Sequence, residues 1–246
     1  YDRAKHVSHW VAYPIYRDYT SSRTYQTGPG TQGRTDAWAY DDWATEYTSS
    51  KPYYRQTGTK IFEPAIPERD QANVVNYFSG YQRGHMLPSA SRYSTWETNA
   101  QTFFATNMMP QNSTLNQNIW ASLEGKVRGW GGLQTYDTLY VVTGAAFKST
   151  KTIDNANGPI AVPSHCWKVL LRQRGNQNRQ ISQFKADELK AIGFVFTNDD
   201  AGAATSIESA VRSVKEIEEL TGFKFFRNLD PAVADAVKSQ KNLADW

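Results

Sequence analysis

Apolar residues recur every four positions at Leu115, Ile119, Leu123 and Val127, and that spacing predicts a helix. Ser113 or Thr114 is placed to cap its start, while Gly125 and Gly129 weaken its far end. Just before it, Thr102–Met109 is apolar and aromatic enough for a buried strand, which Pro110 is expected to end. Strand signals rich in β-branched and aromatic residues recur at Trp10–Arg17, Thr138–Thr143, Ile160–Pro163, Cys166–Leu171 and Ile192–Thr197. Ser206–Leu220 is amphipathic, with Val211, Val214, Ile217 and Leu220 on one face and Gly222 just beyond, so it reads as a packed helix. Residues 1–9 look like a loose arm, and 230–246 like a weaker helix or a tail. Between Asp18 and Asp42 runs a long polar loop turned by Gly28-Pro29-Gly30; Asp42–Pro67 shows no period and reads as irregular. The whole pattern predicts an α+β fold, a mainly antiparallel central sheet flanked by helices.

A chain of 246 residues, 39% hydrophobic, can bury one substantial core, so the simplest organisation is a single domain over 1–246. No apolar run approaches a membrane span. A start at Tyr1 with no signal peptide reads as a processed or trimmed mature chain. One cysteine, Cys166, excludes an internal disulfide framework and a multi-cysteine zinc site. The net charge of +3 and pI near 8.8 suit a polyanionic partner without the excess of a histone-like binder. Eight Trp and fourteen Tyr could supply base-stacking platforms, though most are expected in the core and strands.

The chemistry concentrates between Tyr81 and Glu124. His85 follows Arg83-Gly84 and precedes Met86-Leu87-Pro88; the proline biases Leu87 away from helix, which seats the imidazole on extended backbone. An imidazole titrating near neutrality suits general-base work. Magnesium keeps several waters and takes one or two protein oxygens, so a single Asn carbonyl such as that of Asn116 can serve as its ligand. Glu124, eight residues later, would stand about 12 Å along an α-helix and about 80° round, outside the inner sphere of Asn116. Asn107 either orients the site or satisfies backbone at a strand end. Arg83 either binds phosphate or braces its loop, with bracing favoured.

The segments Arg83-Gly84-His85, Thr106–Gln111 and Leu115–Glu124 resemble the DNA/RNA non-specific endonucleases, the ββα-metal group whose signature is Asp-Arg-Gly-His. The likeness continues at Leu139–Gly144, Ala161–Val169 and Ser213–Gly222. It implies a ββα-metal site in which His85 is the base, Asn116 the sole direct protein ligand, and Glu124 a support acting through water. It further implies an arginine from the N-terminal region on the scissile phosphate, with Arg34 the best match and Arg55 the second. The implied cofactor is Mg²⁺, with Mn²⁺ or another divalent cation as alternatives. DNA and RNA are the implied substrates, cleaved to 5′-phosphate and 3′-hydroxyl ends.

Two positions depart from the family pattern, Gln82 for the Asp before Arg-Gly-His and Ser91 for a frequent Asp; the first puts metal affinity in question. His6, His9 and His165 receive no catalytic role, and Cys166 reads as a core residue. Rival readings are a nucleic-acid-binding module that has lost catalysis and a phosphodiesterase for small nucleotides. An unselective nuclease endangers its own cytoplasm, so a secreted or periplasmic location is expected, or an organelle. A homodimer and an inhibitor protein stay open.

Overall fold

The computed structural model describes residues 1–16, 19, 26–27, 31–32, 34–41, 66–132 and 134–246. Its principal strands are β1 (Trp10–Ile15), β2 (Gln82–His85), β3 (Met108–Gln111), β4 (Leu139–Ala146), β5 (His165–Gln173), β6 (Leu189–Thr197) and β7 (Val211–Arg212). Five of them make one sheet in the order β1-β4-β5-β6-β7, with every neighbouring pair antiparallel. The expected α+β architecture is therefore observed.

Both faces of that sheet are covered, and β5 shows why its sequence is almost unbroken in apolar residues. Cys166 and Leu170 face one core with Leu115, Trp120 and Leu123. Trp167, Val169 and Leu171 face the other, with Val214, Ile217, Ala234 and Val237. A period of two puts alternate residues on opposite faces, and here both faces are buried. The second face is closed by the helices Val214–Thr221 and Pro231–Lys238. The first begins at a capping box, Ser213 with Glu216, and ends at Gly222 with φ of 79°, the left-handed region that glycine enters freely. The second has Asp230 as cap and Pro231 in its first turn.

Several expectations are corrected. Ser206–Leu220 is not one helix: a short helix, Ile207–Ala210, leads into β7, and only then does the capping box open the helix proper. Thr102–Met109 is mostly 3-10 turns, Gln101–Phe103 and Ala105–Asn107, and the strand begins at Met108. Pro110 lies inside it, opposite Arg83. A two-stranded ribbon tolerates this because each strand keeps one free edge where no N–H is needed. Residues 1–9 are not loose either; Val7 is fully buried, and the Tyr1 hydroxyl accepts a hydrogen bond from the Ala72 N–H. The Asp18–Asp42 and Asp42–Pro67 expectations, and Arg55, fall largely or wholly outside the described residues.

The long helix follows the ribbon directly. It starts as a turn of α-helix at Ser113–Leu115, widens to a π-helical stretch at Asn116–Trp120, and continues as α-helix from Ala121 to Trp130. Its cap is Asn112, whose side chain accepts the Leu115 N–H, and not Ser113 or Thr114. The buried stripe is Leu115, Trp120, Leu123 and Val127, with Ile119 only packed against its edge. The step of five from Leu115 to Trp120 is the signature of the i→i+5 turn.

The ribbon is built on one close approach. A Cβ at Gly84 would lie 2.4 Å from Gln111 Oε1 and 2.7 Å from Gln111 Cβ, an atom the strand backbone holds in place. Gly84→Ala should therefore destabilise the protein by about 1–3 kcal/mol through overpacking. Urea denaturation measures this directly, and a variant as stable as wild type would show that the ribbon yields.

Candidate active site

His85 ends β2 opposite Met108 of β3. The loop that follows is clamped by Asn107: its Oδ1 accepts the Leu87 N–H at 2.8 Å, and its Nδ2 donates to the Leu87 and Thr102 carbonyls at 2.9 and 2.7 Å. With its amide fully used on backbone, Asn107 fixes where His85 points and does not itself enter the cleft. The imidazole lies edge-on to Trp38 and Phe103, with ring centroids 5.5 and 5.0 Å away. Its Nε2 is buried without a hydrogen-bond partner among the described residues.

One polar cleft is lined by His85, Gln82, Arg83, Arg34, Asn116, Glu124 and Arg128. The π-helical stretch explains how Asn116 and Glu124 share it. One extra residue in a turn makes their separation equivalent to seven α-helical residues instead of eight, so the offset falls from about 80° to about 20°. The simple α-helical expectation for Glu124 is corrected by this turn. Arg128, which sequence reasoning passed over, follows Glu124 by four residues and so presents to the same wall. That spacing was the available signal.

The cations in the cleft are held in different ways. Arg34, 45% exposed, pairs with Asp36 at 2.7 Å and lies 4.7 Å from the Phe103 ring centre. Arg83 donates to the Val74 carbonyl at 2.6 Å and is sandwiched between Trp38 at 3.5 Å and Tyr77 at 4.7 Å. It braces the preceding loop. Three guanidiniums, Arg34, Arg83 and Arg128, face two carboxylates, Asp36 and Glu124, so the lining favours an anion.

Burial depresses the His85 pKa from 6.5 to about 3, and the charges of Arg34 and Arg83 push the same way. Glu124 is shifted upward by burial, against the pull of Lys168, Arg128, Trp120 and Arg34. Lys168 is fully buried and is shifted downward by burial, with Glu124 opposing. The other histidines are engaged elsewhere: His6 with the Pro159 carbonyl, His9 with Asp2 and His165 with Ser164. Cys166 is fully buried, its thiol pushed up to about 12 by burial, which fits a core residue.

No group of three or more His, Cys, Asp and Glu side chains among the described residues could cage a metal. The cleft suits a different cation. The Asn116 and Gln82 side chains line it, neither amide making a hydrogen bond among the described residues, and Glu124 lines it too. One neutral oxygen ligand with a carboxylate in reach of its waters is a fitting donor set for a mostly hydrated divalent ion.

A strand ribbon feeding a helix, bringing one imidazole, an amide and a carboxylate to a basic cleft, is a ββα arrangement. The chain belongs to the DNA/RNA non-specific endonuclease family, whose profile matches residues 1–232, and is a nucleic-acid hydrolase. Nuclease C1 of Cunninghamella echinulata is 27% identical over 226 residues, 87% of this chain and 84% of that protein. A nuclease of Nostoc is 34% identical over 164 residues, 66% of this chain, and the mitochondrial nuclease EXOG of Danio rerio is 28% identical over 75% of it. The matched regions span only 56% and 55% of those two relatives. In fold, the chain is similar to a structure of the EndoG/EndoGI complex, with a TM-score of 0.64, 22% identity, and coverage of 98% of this chain and 87% of that one.

The depressed pKa of this half-buried imidazole has a measurable consequence. Its folded pKa lies below the unfolded value, so the unfolded chain takes up the proton first and stability falls as pH drops from 6.5 towards 3. Over pH 6 to 4 the urea midpoint of wild type should fall more steeply than that of His85→Phe. Parallel curves would mean that His85 protonates without penalty in the folded protein.

Proposed function

We propose that this protein is a Mg²⁺-dependent endonuclease that hydrolyses DNA and RNA without regard to sequence, leaving 5′-phosphate and 3′-hydroxyl ends. The observation that carries the reading is the convergence of His85, Asn116, Glu124 and three arginines on one cleft. Asn116 would hold the cation directly and Glu124 through its water shell. The cation, when bound, supplies Lewis-acid neutralisation of charge on the phosphate and leaving oxygens.

His85 Nε2 takes the proton of the attacking water. A pKa of about 3 suits that task poorly in the free protein, because a base works best near the operating pH. Substrate changes this: a phosphate seated between Arg34 and Arg83 offsets the two charges that depress the imidazole, and admitted water relieves its desolvation. Arg34 and Arg128 face the developing negative charge, and Arg83 does so while bracing its loop. Gln82 stands where the family pattern has Asp and brings no charge to the cation, so a raised metal requirement follows.

Every group named acts on phosphate, sugar oxygen or water, and such contacts carry no sequence information. Broad specificity follows from that. Activity of this kind fits a secreted or periplasmic location or an organelle, and mitochondrial nucleases are among the relatives.

Supercoiled plasmid and a structured RNA, incubated with Mg²⁺ or with EDTA, test the reading. Wild type should nick both only with the metal, and His85→Ala and Asn116→Ala should each lose about 10²-fold or more in rate, within the range of a general base or a ligand removed. Folded wild-type protein that binds both polymers yet cleaves neither at any divalent metal would instead support the binding-module reading. Hydrolysis of a small diester with plasmid left intact would favour a small-nucleotide phosphodiesterase.

A further inference from the structure

Asp36 is a carboxylate lining a cleft that receives a polyanion, where its charge opposes binding. Its backbone has φ of 48°, in the left-handed region that most side chains avoid. Both features call for a compensating role, and the ion pair with Arg34 supplies one. Arg34 Nε donates to Asp36 Oδ1 at 2.7 Å, with the two side chains 45% and 58% exposed. A pair so exposed contributes little to stability, so its effect lies in where the guanidinium sits.

The segment that carries the pair is fixed from behind. The Thr35 N–H donates to Asn99 Oδ1 at 3.0 Å, and Asn99, fully buried, donates its own amide to the Ser89 carbonyl and hydroxyl at 2.9 Å. Beyond Asp36, the Trp38 N–H returns to the Asp36 carbonyl at 2.9 Å, and the Ala105 N–H donates to the Ala39 carbonyl at 2.9 Å. The Phe103 ring that flanks the His85 imidazole at 5.0 Å also underlies the Arg34 guanidinium, 4.7 Å from the ring centre. Backbone, ring face and carboxylate thus define the place of Arg34 together. Nε is engaged by Asp36, and Arg34 makes no other hydrogen bond among the described residues, so its two Nη groups are the donors left for an anion. Such a fork of parallel N–H donors matches two phosphate oxygens.

We propose that Asp36 is a positioning residue of the nuclease site, its carboxylate holding Arg34 by Nε so that both Nη groups face the scissile phosphate. The inference rests on the proposed nuclease reading and deepens it: Asp36 touches neither phosphate nor cation, and acts through Arg34. The left-handed backbone accounts for the residue type, since aspartate and asparagine enter that region more readily than other side chains.

The test compares wild type, Asp36→Gly, Asp36→Asn, Arg34→Ala and the Asp36→Gly, Arg34→Ala double variant. It reads proton exchange at the Arg34 Nε–H by ¹⁵N NMR, affinity for a single-stranded oligonucleotide in EDTA, and kcat and KM on plasmid with Mg²⁺. Glycine enters the left-handed region freely, so Asp36→Gly should keep the fold while removing the acceptor. The Nε–H should then exchange faster, and kcat should fall about 10-fold with KM unchanged or lower, as for a misdirected contact. Asp36→Asn keeps an oxygen for Nε and should restore most of kcat. In the Arg34→Ala background Asp36→Gly should change kcat less than about twofold, and Arg34→Ala should weaken oligonucleotide binding more when Asp36 is present than in Asp36→Gly. Wild-type exchange and kcat in Asp36→Gly, no recovery in Asp36→Asn, or full multiplication of the two losses in the double variant would overturn the proposal. If wild type cleaves nothing, the nuclease reading falls, and the Nε–H exchange and oligonucleotide affinities still decide whether Asp36 acts through Arg34.

Discussion

The long helix must satisfy two faces at once, and the rest of the site depends on how it does so. One face buries Leu115, Trp120, Leu123 and Val127 against the sheet; the other offers Asn116, Glu124 and Arg128 to the cleft. An uninterrupted α-helix cannot keep residues spaced by four in line, because each step drifts by about 40° and three steps by about 120°. The single π-helical stretch at Asn116–Trp120 absorbs that drift. It lets Trp120 replace Ile119 in the core and swings Asn116 towards Glu124. A local departure from regular hydrogen bonding thus sets both the packing beneath the site and the convergence of its polar groups.

Around that helix, the remaining parts are chosen to limit freedom. Gly84 lets the ribbon strands close on Gln111, and Asn107 spends its whole amide on the loop behind His85. Arg83 is pinned between two aromatic rings and a backbone carbonyl. A cleft organised in this way has little to rearrange when charge develops in it, which is how fixed dipoles and cations become effective in catalysis. The cost falls on ionisable groups that burial shifts towards the uncharged form, the half-buried His85 and Glu124 and the fully buried Lys168.

Much of this was legible in the sequence where the determining signal is local. The Arg83-Gly84-His85 block, the Asn116 helix and the strands of the central sheet carry their signals within a few residues, and the structure places His85, Asn116, Glu124, Arg34 and Arg83 on one cleft. Features set by tertiary contacts were not. Nothing near Leu115 announces a π-turn, because its cause is the drift of residues spaced by four away from the sheet they pack on. The aromatic stretch Thr102–Met109 resembled a strand, yet the Asn107 clamp and the pairing with His85 delay the strand to Met108. The burial of Lys168 cannot be read from the Cys166–Leu171 strand signal, since it follows only from helices covering both faces of the sheet. Two omissions were avoidable: Arg128, four residues past Glu124, and the Ser213–Glu216 capping box, which marks the true start of its helix.

The central claim is that the cleft between the ribbon and the π-turned helix is where a divalent cation and a scissile phosphate meet. A crystal of the protein soaked with Mn²⁺, with anomalous differences measured at the manganese edge, addresses it most directly. The account predicts one dominant peak within coordination distance of Asn116 Oδ1, with Glu124 and His85 facing it through water or substrate. A dominant peak elsewhere, with the cleft empty at saturating Mn²⁺, would contradict it.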